Sequence, residues 1–204
     1  MENGLGIDNQ AQLAREEERL SKLRALELRD ARLLNGHEPG TAETLRFIYR
    51  HLFQDVYEFA GALRDVDISK GNMRFASSLY LADALSAIEK MPQGDFDEAV
   101  QKYVEMNVAH PFGEGNGRAM RMWLDHILST ELGCAVDWSA VDKGEYLRAM
   151  ERSPICDIEI QHVLRPALVD ADMSREAFMK GLDASYAYED MHAYSASDLD
   201  VLGN

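Results

Sequence analysis

Apolar residues recur at the spacing of an α-helix through most of this sequence, and this repeat limits the fold more than any other feature. It is clear from about residue 95 to 109, where apolar residues return every three or four positions. Capping residues, glycines and prolines set the bounds of the other predicted helices. These helices cover about residues 9–34, 41–61, 78–90, 116–133 and 173–192, with two or three shorter ones before the last. The sequence therefore predicts a mainly α fold, a helical bundle.

One stretch departs from the helical pattern. Val66, Ile68, Met73 and Phe75 flank the tetrapeptide Ser-Lys-Gly-Asn at 69–72. Apolar residues on both sides of a Gly-Asn pair are typical of a β-hairpin with a tight turn. On local sequence alone an irregular connector is slightly favoured over the hairpin. No other strand is predicted.

The charge balance restricts the partners of the chain. It has 21 basic and 36 acidic residues, a formal charge of −15, and no basic run. Such a surface disfavours nucleic acid, and with it a DNA-binding helical regulator, but a few well-placed groups can still bind one nucleotide. The 46% of apolar residues suffices for a buried core.

The cysteines and the N-terminus bear on location. Cys134 and Cys156 form no C-x-x-C pair, which argues against a disulfide scaffold or a structural zinc site. The N-terminus does not have the pattern of a signal peptide, and no apolar run is long enough to span a bilayer. We therefore expect a cytoplasmic protein with no membrane partner.

The segment richest in chemical information is HPFGEGNGRAMR, from His110 to Arg121. A predicted helix ends at its proline, a loop with three glycines follows, and a new helix begins near residue 116. Glycines let successive backbone N–H groups face one concavity, and a helix N-terminus adds its positive end, so this arrangement suits phosphate. Arg118 and Arg121 share the face opposite the apolar stripe, which predicts that they are free to meet a ligand.

Two further side chains suit chemistry at this loop. A neutral imidazole at His110 can accept a proton near pH 7, as a general base must. A carboxylate at Glu114, beside a phosphate site, is explained by Mg²⁺, which bridges protein and phosphate oxygens. The spacing alone also fits a glycine-rich turn between two helices with ordinary surface charges.

The segment resembles the Fic motif, H-P-F-x-[D/E]-G-N-G-R-x-x-R, and matches it at every fixed position. Residues 68–76 and 103–107 are similar to the flap hairpin of that family and to the helix before its motif. The resemblance implies the Fic fold, a helical bundle with one short β-hairpin flap beside the active-site loop. It also implies a division of the chain into an N-terminal helical extension (1–27), a catalytic domain (28–172), a C-terminal inhibitory helix (173–192) and a flexible tail (193–204).

The resemblance implies a protein adenylyltransferase that moves AMP from ATP to a Tyr, Thr or Ser hydroxyl of a target protein. His110 then deprotonates the hydroxyl, Glu114 holds Mg²⁺, and Phe112 anchors the loop in the core. The anion hole and the phosphate contacts fall on Gly115, Asn116, Gly117, Arg118 and Arg121. Glycine at 117 favours adenylyl transfer, because a relative with lysine there binds its nucleotide the other way round and transfers the γ-phosphate.

The resemblance also implies how a target docks. An extended target segment can pair with the edge of the flap, which brings its hydroxyl over His110. The flap residues are Ile68, Ser69, Lys70, Gly71, Asn72, Met73 and Arg74. Main-chain pairing tolerates many sequences, so the flap does not identify the target. Small bacterial Fic proteins often modify bacterial proteins, and a type II topoisomerase subunit is one expected target.

A second resemblance lies near the C-terminus. Ser185 and Glu189 match the inhibitory motif [S/T]-x-x-x-E-[G/N], although Asp190 departs from its last position. Helical spacing places Glu189 on the same face as the apolar residues Leu182 and Phe178, two and three turns earlier, so it should point inward and need a cation. The family resemblance makes that cation Arg121, where Glu189 would occupy the place of the γ-phosphate.

Other interpretations stay open at this point. The same fold can transfer UMP or phosphocholine, or remove AMP, because phosphate recognition does not depend on the base. A non-catalytic scaffold is disfavoured by the intact motif. Tyr186 and Tyr188 lie beside the inhibitory glutamate and are candidates for self-modification. Dissociation of a homo-oligomer is one way in which inhibition would be relieved.

Overall fold

The computed structural model describes residues 3–70 and 73–202. In these ranges the regular structure consists of helices and two small antiparallel sheets, which confirms the mainly α prediction. The elements are α1 (Gln10–Asp30), α2 (Ala42–Phe53), β1 (Ser69–Lys70), β2 (Met73–Arg74), α3 (Leu81–Glu89), α4 (Phe96–Ala109), α5 (Asn116–Leu132), β3 (Cys134–Val136), α6 (Lys143–Arg152), α7 (Ile158–Leu164), β4 (Leu168–Asp170), α8 (Arg175–Ala187) and α9 (Ala196–Leu202).

Polar side chains start the helices that frame the loop. Thr41, Asp95 and Ser174 cap α2, α4 and α8, and each accepts a hydrogen bond from the backbone N–H three residues further on. Such a cap stabilises a helix by about 1 kcal/mol. At its other end, α5 stops at Gly133 with φ +67°. The predicted start at Thr41 and stop at Gly133 are confirmed.

The core lies around α5. Trp123, Leu124 and Ile127 of its predicted apolar face are fully buried. Helices α2 and α4 pack against α5, α1 packs across α2, and α8 packs against both α1 and α5. The end of α8 is thereby brought beside the first turn of α5.

Three predicted helices end earlier than expected. α1 ends at Asp30 rather than near residue 34, and Arg32 then takes a left-handed φ of +51°. α2 ends at Phe53 in a tight turn, well before Gly61. α8 ends at Ala187 rather than near residue 192. In each case the apolar repeat continues past a backbone turn that periodicity does not reveal.

The predicted hairpin is present. β1 pairs with β2 in antiparallel register, with Ser69 opposite Arg74. The predicted turn residues Gly71 and Asn72 lie outside the described residues.

A second sheet was not predicted. β3 and β4 pair antiparallel, with Cys134 opposite Asp170 and Val136 opposite Leu168. Each strand has three residues, too few for an alternating pattern to stand out in the sequence. This sheet holds the ends of α5 and α7 together.

The prediction of a flexible tail over 193–204 is wrong for its described part. Residues 196–202 form α9, which packs on α1 and α8 and buries Ala196 and Leu199. The carboxylate of Asp183 on α8 accepts the backbone N–H of Ala196. This contact starts α9 and fastens it to α8.

α1 is continuous across residue 27, where the sequence suggested a boundary. The N-terminal segment is therefore part of a longer helix that packs on α2. Among the described residues, no helix is both long and apolar enough to cross a bilayer.

Candidate active site

The loop between α4 and α5 is closed by one amide side chain. Asn116 Oδ1 accepts the backbone N–H of Phe112 at 2.9 Å, and its Nδ2 donates to the carbonyl of Phe112 at 2.7 Å. α5 begins after Gly115, which has no side chain to cap it. The positive end of this helix suits an anionic group, while the side chain of Asn116 shapes the loop.

Gly115 and Phe112 fix the loop to the core. Gly115 has φ +68°, and a Cβ there would collide with the buried ring of Phe53. Phe112 is fully buried and stacks on Tyr49 with ring centroids 3.8 Å apart. The core role predicted for Phe112 is confirmed.

His110 lies where α4 ends. It has a left-handed φ of +46°, uncommon for a residue other than glycine, and its ring stacks on Phe75 at 3.7 Å. Its Nδ1 lies 3.3 Å from the carbonyl oxygen of Asn107. Because a carbonyl only accepts, this contact favours the proton on Nδ1 and the lone pair on Nε2. Nε2 is then the atom suited to accept a proton.

Arg64, which no pattern in the sequence marks, contacts the loop backbone. Its Nε donates to the carbonyl of His110 at 2.8 Å and its Nη2 to that of Ala109 at 3.0 Å. The same guanidinium donates to the carbonyls of Val66, at 2.7 Å, and Ala76. Burial lowers the pKa of Arg64 from its ordinary value.

The two motif arginines lie under the end of α8. Arg118 and Arg121 are each 3% exposed. Glu189 Oε2 lies 2.8 Å from Arg118 Nε, and Glu189 Oε1 lies 3.1 Å from Arg121 Nη2. The expected contact with Arg121 is present and extends to Arg118. The expectation that these arginines are free to meet a ligand is wrong, because Glu189 covers both.

A second carboxylate reaches the cluster from α1. Glu17 Oε1 lies 2.7 Å from Arg118 Nη1, and the hydroxyl of Tyr57 donates to Glu17 Oε2. Burial opposes the charge of Arg118, but the carboxylates of Glu189 and Glu17 outweigh it and raise the pKa. We call Arg118, Arg121, Glu17 and Glu189 the arginine cluster. Its formal charges cancel.

Arg121 is further held by Ser185. Its Nε donates to the Ser185 hydroxyl at 2.7 Å and its Nη2 to the Ser185 carbonyl at 2.8 Å. The rings of Trp138, Tyr146 and Tyr188 lie around its guanidinium, with centroids 6.0, 5.9 and 5.1 Å away. Aromatic faces stabilise a buried cation, so the position of this arginine is tightly defined.

Gly117 makes room for these contacts. A Cβ at this position would lie 2.8 Å from Glu189 Oε1 and 2.9 Å from Arg121 Nη1. Those distances are shorter than a carbon atom tolerates. The missing side chain therefore lets the carboxylate approach the start of α5.

Glu189 lies in a turn just after α8. The backbone N–H of Met191 donates to the carbonyl of Tyr186, and that of Asp190 to the carbonyl of Ala187. This is the Schellman pattern, whose left-handed position is held by Asp190 at φ +60°. Glycine and asparagine suit that conformation best and aspartate tolerates it, so Asp190 still ends the helix where the motif has Gly or Asn.

The turn is fastened from outside by Lys143. Its ammonium donates to the carbonyl of Ala187 at 2.8 Å and to Asp190 Oδ1 at 2.5 Å. The side chain of Lys143 is 38% exposed and that of Asp190 is 86% exposed. The buried arginines and a surface ion pair thus hold the same turn.

Glu114 lies exposed on the loop before α5. Within the ranges 3–70 and 73–202, no three His, Cys, Asp or Glu side chains are grouped so as to hold a metal ion. One accessible carboxylate beside an anion site nevertheless fits Mg²⁺, which keeps several waters and takes its other ligands from nucleotide phosphates. The donor set is thus compatible with a metal that arrives with its nucleotide.

The two tyrosines considered for self-modification are buried. The hydroxyl of Tyr188 lies 3.0 Å from the carbonyl oxygens of both Trp138 and Val141, which share its one proton. Burial raises the pKa of Tyr186 to about 12. In this conformation neither hydroxyl is accessible to the loop as a nucleophile.

Comparison with known proteins agrees with this geometry. A model of the Fic/DOC family matches residues 39–128, which include the hairpin and the whole motif. Protein adenylyltransferase VbhT of Bartonella schoenbuchensis is 33% identical over 160 residues, which cover 73% of this chain. The chain spans only 33% of the length of VbhT. The "Probable protein adenylyltransferase Fic" of Escherichia coli is 28% identical over 169 residues, covering 78% of this chain and 82% of that protein.

The fold is shared with solved structures. BepC of Bartonella tribocorum, crystallised with bound AMPPNP, superposes with a TM-score of 0.67 at 21% identity and covers 83% of this chain and 92% of that one. At this identity the likeness concerns the fold alone. Residues 39–128 of this chain therefore form a Fic/DOC family domain.

Proposed function

We propose that this chain is a protein adenylyltransferase that moves AMP from ATP to a Tyr, Thr or Ser hydroxyl of a target protein, and that Glu189 inhibits it. The observation that carries the proposal is the placement of His110 at one end of a loop whose other end is a helix N-terminus beside two buried arginines. One loop then carries both a general base, His110, and a site for the phosphates of a nucleotide at the start of α5. Relatives named adenylyltransferases and a neighbour crystallised with AMPPNP support the same activity.

In the proposed reaction, His110 Nε2 takes the proton of the target hydroxyl. The hydroxyl oxygen bonds to the α-phosphorus of ATP, the bond from that phosphorus to the bridging oxygen breaks, and pyrophosphate leaves. Backbone N–H groups at the start of α5 stabilise the charge that develops on the phosphoryl oxygens. Arg118 and Arg121 pair with the departing phosphates. Glu114 would hold Mg²⁺, and the ion would then supply positive charge beside the phosphate oxygens.

The proposed inhibition follows from charge. A γ-phosphate and the carboxylate of Glu189 require the same two guanidinium groups. With Glu189 in place the arginine cluster has no net charge, and without it the cluster carries one positive charge. ATP therefore meets its full phosphate site only when Glu189 leaves. Removal of Glu189 should then raise transfer.

We further propose that the target docks on the hairpin. β1 and β2 form a two-stranded ribbon, so main-chain groups at its edges are available for an added strand. The hairpin joins the loop through Arg64, and Phe75 just after β2 contacts the ring of His110. A segment paired with the hairpin would thus lie close to the base.

The test uses ATP labelled at the α- or the γ-phosphate, Mg²⁺ and a bacterial lysate. Three proteins are compared: wild type, Glu189→Gly, and Glu189→Gly combined with His110→Ala. We expect protein labelling from the α-label alone, strong with Glu189→Gly and absent with the double variant.

Each other outcome removes one part of the proposal. Label from the γ-phosphate alone would mean kinase chemistry. Equal labelling by wild type and Glu189→Gly would remove the inhibition. No label from either position would contradict adenylyl transfer to lysate proteins and favour a different nucleotide or a binding role.

A further inference from the structure

We propose that Arg64 is a positioning residue for adenylyl transfer, which fixes the hairpin that receives the target against the histidine that takes its proton. The inference rests on the proposed function. It starts from one buried guanidinium whose hydrogen bonds end on four main-chain carbonyls. None of these acceptors is a side chain. The contacts therefore hold the backbone in place and do not form an ion pair.

The four acceptors fall into two groups. Val66 and Ala76 lie just before β1 and just after β2, at the two ends of the hairpin. Ala109 and His110 lie where α4 stops. The guanidinium therefore joins both ends of the hairpin to the catalytic loop.

Two backbone hydrogen bonds run alongside. The N–H of Arg64 donates to the carbonyl of Pro111 at 2.9 Å, and the N–H of Ala76 donates to that of Val108 at 2.9 Å. The hairpin ends and the end of α4 are thus joined on both sides of the guanidinium. A shift of either part would break several of these bonds together.

Arginine is the side chain that suits this task. Its guanidinium offers five N–H donors in a planar fork, whereas lysine has three donors on one nitrogen and cannot span four oxygens that are spread apart. The carbonyls of Ala109 and His110 also lie at the C-terminal end of α4, which leaves them without helical partners and at the negative end of the helix.

The arrangement bears directly on the reacting atom. The left-handed backbone of His110 is uncommon for a residue with a Cβ and persists only when its surroundings hold it. Arg64 holds its carbonyl, and Phe75 from the hairpin covers its ring. The Arg64 guanidinium fixes both the hairpin and His110. Loss of this guanidinium should therefore change the distance between His110 Nε2 and the hydroxyl of a target docked on the hairpin.

A spectroscopic test does not depend on activity. In an NMR spectrum the ring current of Phe75 should shift the resonance of the His110 Hε1 proton. The Phe75→Leu variant gives the chemical shift of this proton without that ring. Arg64→Lys should shift the resonance towards the Phe75→Leu value. The matched control is Asp67→Asn. The carboxylate of Asp67 accepts hydrogen bonds from Ser77 and Ser78, so it joins the two ends of the hairpin to each other and not to α4. That variant should leave the resonance at its wild-type position.

The kinetic test uses the Glu189→Gly background and α-labelled ATP with lysate protein. Arg64→Lys should lower the labelling rate by about 10- to 100-fold, as expected when a reacting group is misplaced by about 1 Å. Affinity for AMP-PNP with Mg²⁺ should stay within about twofold, because the phosphate site does not include Arg64. An unshifted resonance, or an unchanged labelling rate, would overturn the proposal.

Failure of the proposed function looks different. In that case Glu189→Gly itself labels nothing, while the resonance test still decides whether Arg64 positions His110. If Arg64→Lys does not fold, hydrogen exchange on the wild type replaces both tests. The openings that expose the amides of Ala76 and His110 to exchange should then have the same free energy. A much lower free energy of opening at Ala76 would refute the proposal that Arg64 joins the hairpin to His110.

Discussion

Glu189→Gln tests whether the carboxylate neutralises the buried arginines. The substitution keeps the size of the side chain and removes its charge, so of the two carboxylates described in the arginine cluster only that of Glu17, on Arg118, remains. We expect the variant to be less stable without nucleotide and to gain more stability than wild type when nucleotide is added. Both effects follow from the same unbalanced positive charge.

The magnitude follows from burial. Removal of one partner from a fully buried ion pair costs about 3–5 kcal/mol. The side chain of Glu189 is 22% exposed, and Ser185 still holds Arg121, so we expect a smaller loss, about 2–3 kcal/mol. For a chain of 204 residues this lowers Tm by about 4–12 °C.

The assay is thermal unfolding with and without AMP-PNP and Mg²⁺. Nucleotide at 100 times its dissociation constant stabilises the folded state by about 2.7 kcal/mol, or about 5–11 °C here. The variant should approach this gain at a nucleotide concentration where wild type shows little, because nucleotide must displace Glu189 in the wild type. The difference between the two gains measures the competition.

Glu176→Gln is the control on the same helix. Glu176 pairs with Lys180 on the solvent-exposed face of α8, and such pairs contribute less than about 1 kcal/mol. Its Tm and its response to nucleotide should match wild type. A Tm loss below about 2 °C for Glu189→Gln, or equal gains with AMP-PNP, would refute the neutralisation argument.

Three further substitutions test separate features. Gly115→Ala combines a left-handed conformation with overlap on the Phe53 ring, so urea unfolding should show a loss of about 2–5 kcal/mol, and wild-type stability would contradict the described loop. Burial raises the pKa of Asp125 from 3.8 to about 7, so its protonation stabilises the fold below pH 7 and this contribution is lost as pH rises through 7. Chemical unfolding from pH 7.5 to 5 should therefore show wild type gaining stability relative to Asp125→Asn, whereas a constant difference would disprove the shift. Glu17→Gln leaves Arg118 with one carboxylate and should lower Tm without raising α-label transfer, and increased transfer would show that Glu17 also inhibits.

The loop between His110 and Arg121 could be predicted because its information is local. The residues of the loop are contiguous, its glycines report backbone conformation, and two arginines three positions apart must share a helix face. The structure places His110 and Arg121 at this loop as expected. The burial of the arginines could not be deduced from α5, because other helices supply the cover.

Glu17 and Arg64 could not be found in the same way. Glu17 lies in a run of charged residues that is typical of a solvated helix face, yet α1 packs so that this residue meets Arg118. Arg64 binds only carbonyls, which every residue carries, so the sequence around it holds no signal. Contacts between distant segments decide both cases.

The end of α8 shows a missed signal. Periodicity extended this helix to about residue 192, but the inhibitory motif itself has Gly or Asn after its glutamate, which are residues that accept a left-handed turn. Asp190 takes that conformation, and Glu189 therefore lies beyond the last helical residue. A departure from a motif can thus preserve the backbone geometry that the motif requires.

The ion pair between Lys143 and Asp190 can change the strength of the proposed inhibition without any change in the residues that bind Glu189. It is far more exposed than the arginines, and its strength depends on salt and on surface residues. Substitutions there can change how long Glu189 stays in place while every buried contact remains the same. The ease with which Glu189 leaves the arginines would then depend on surface residues, and single mutations there could adjust it in small steps.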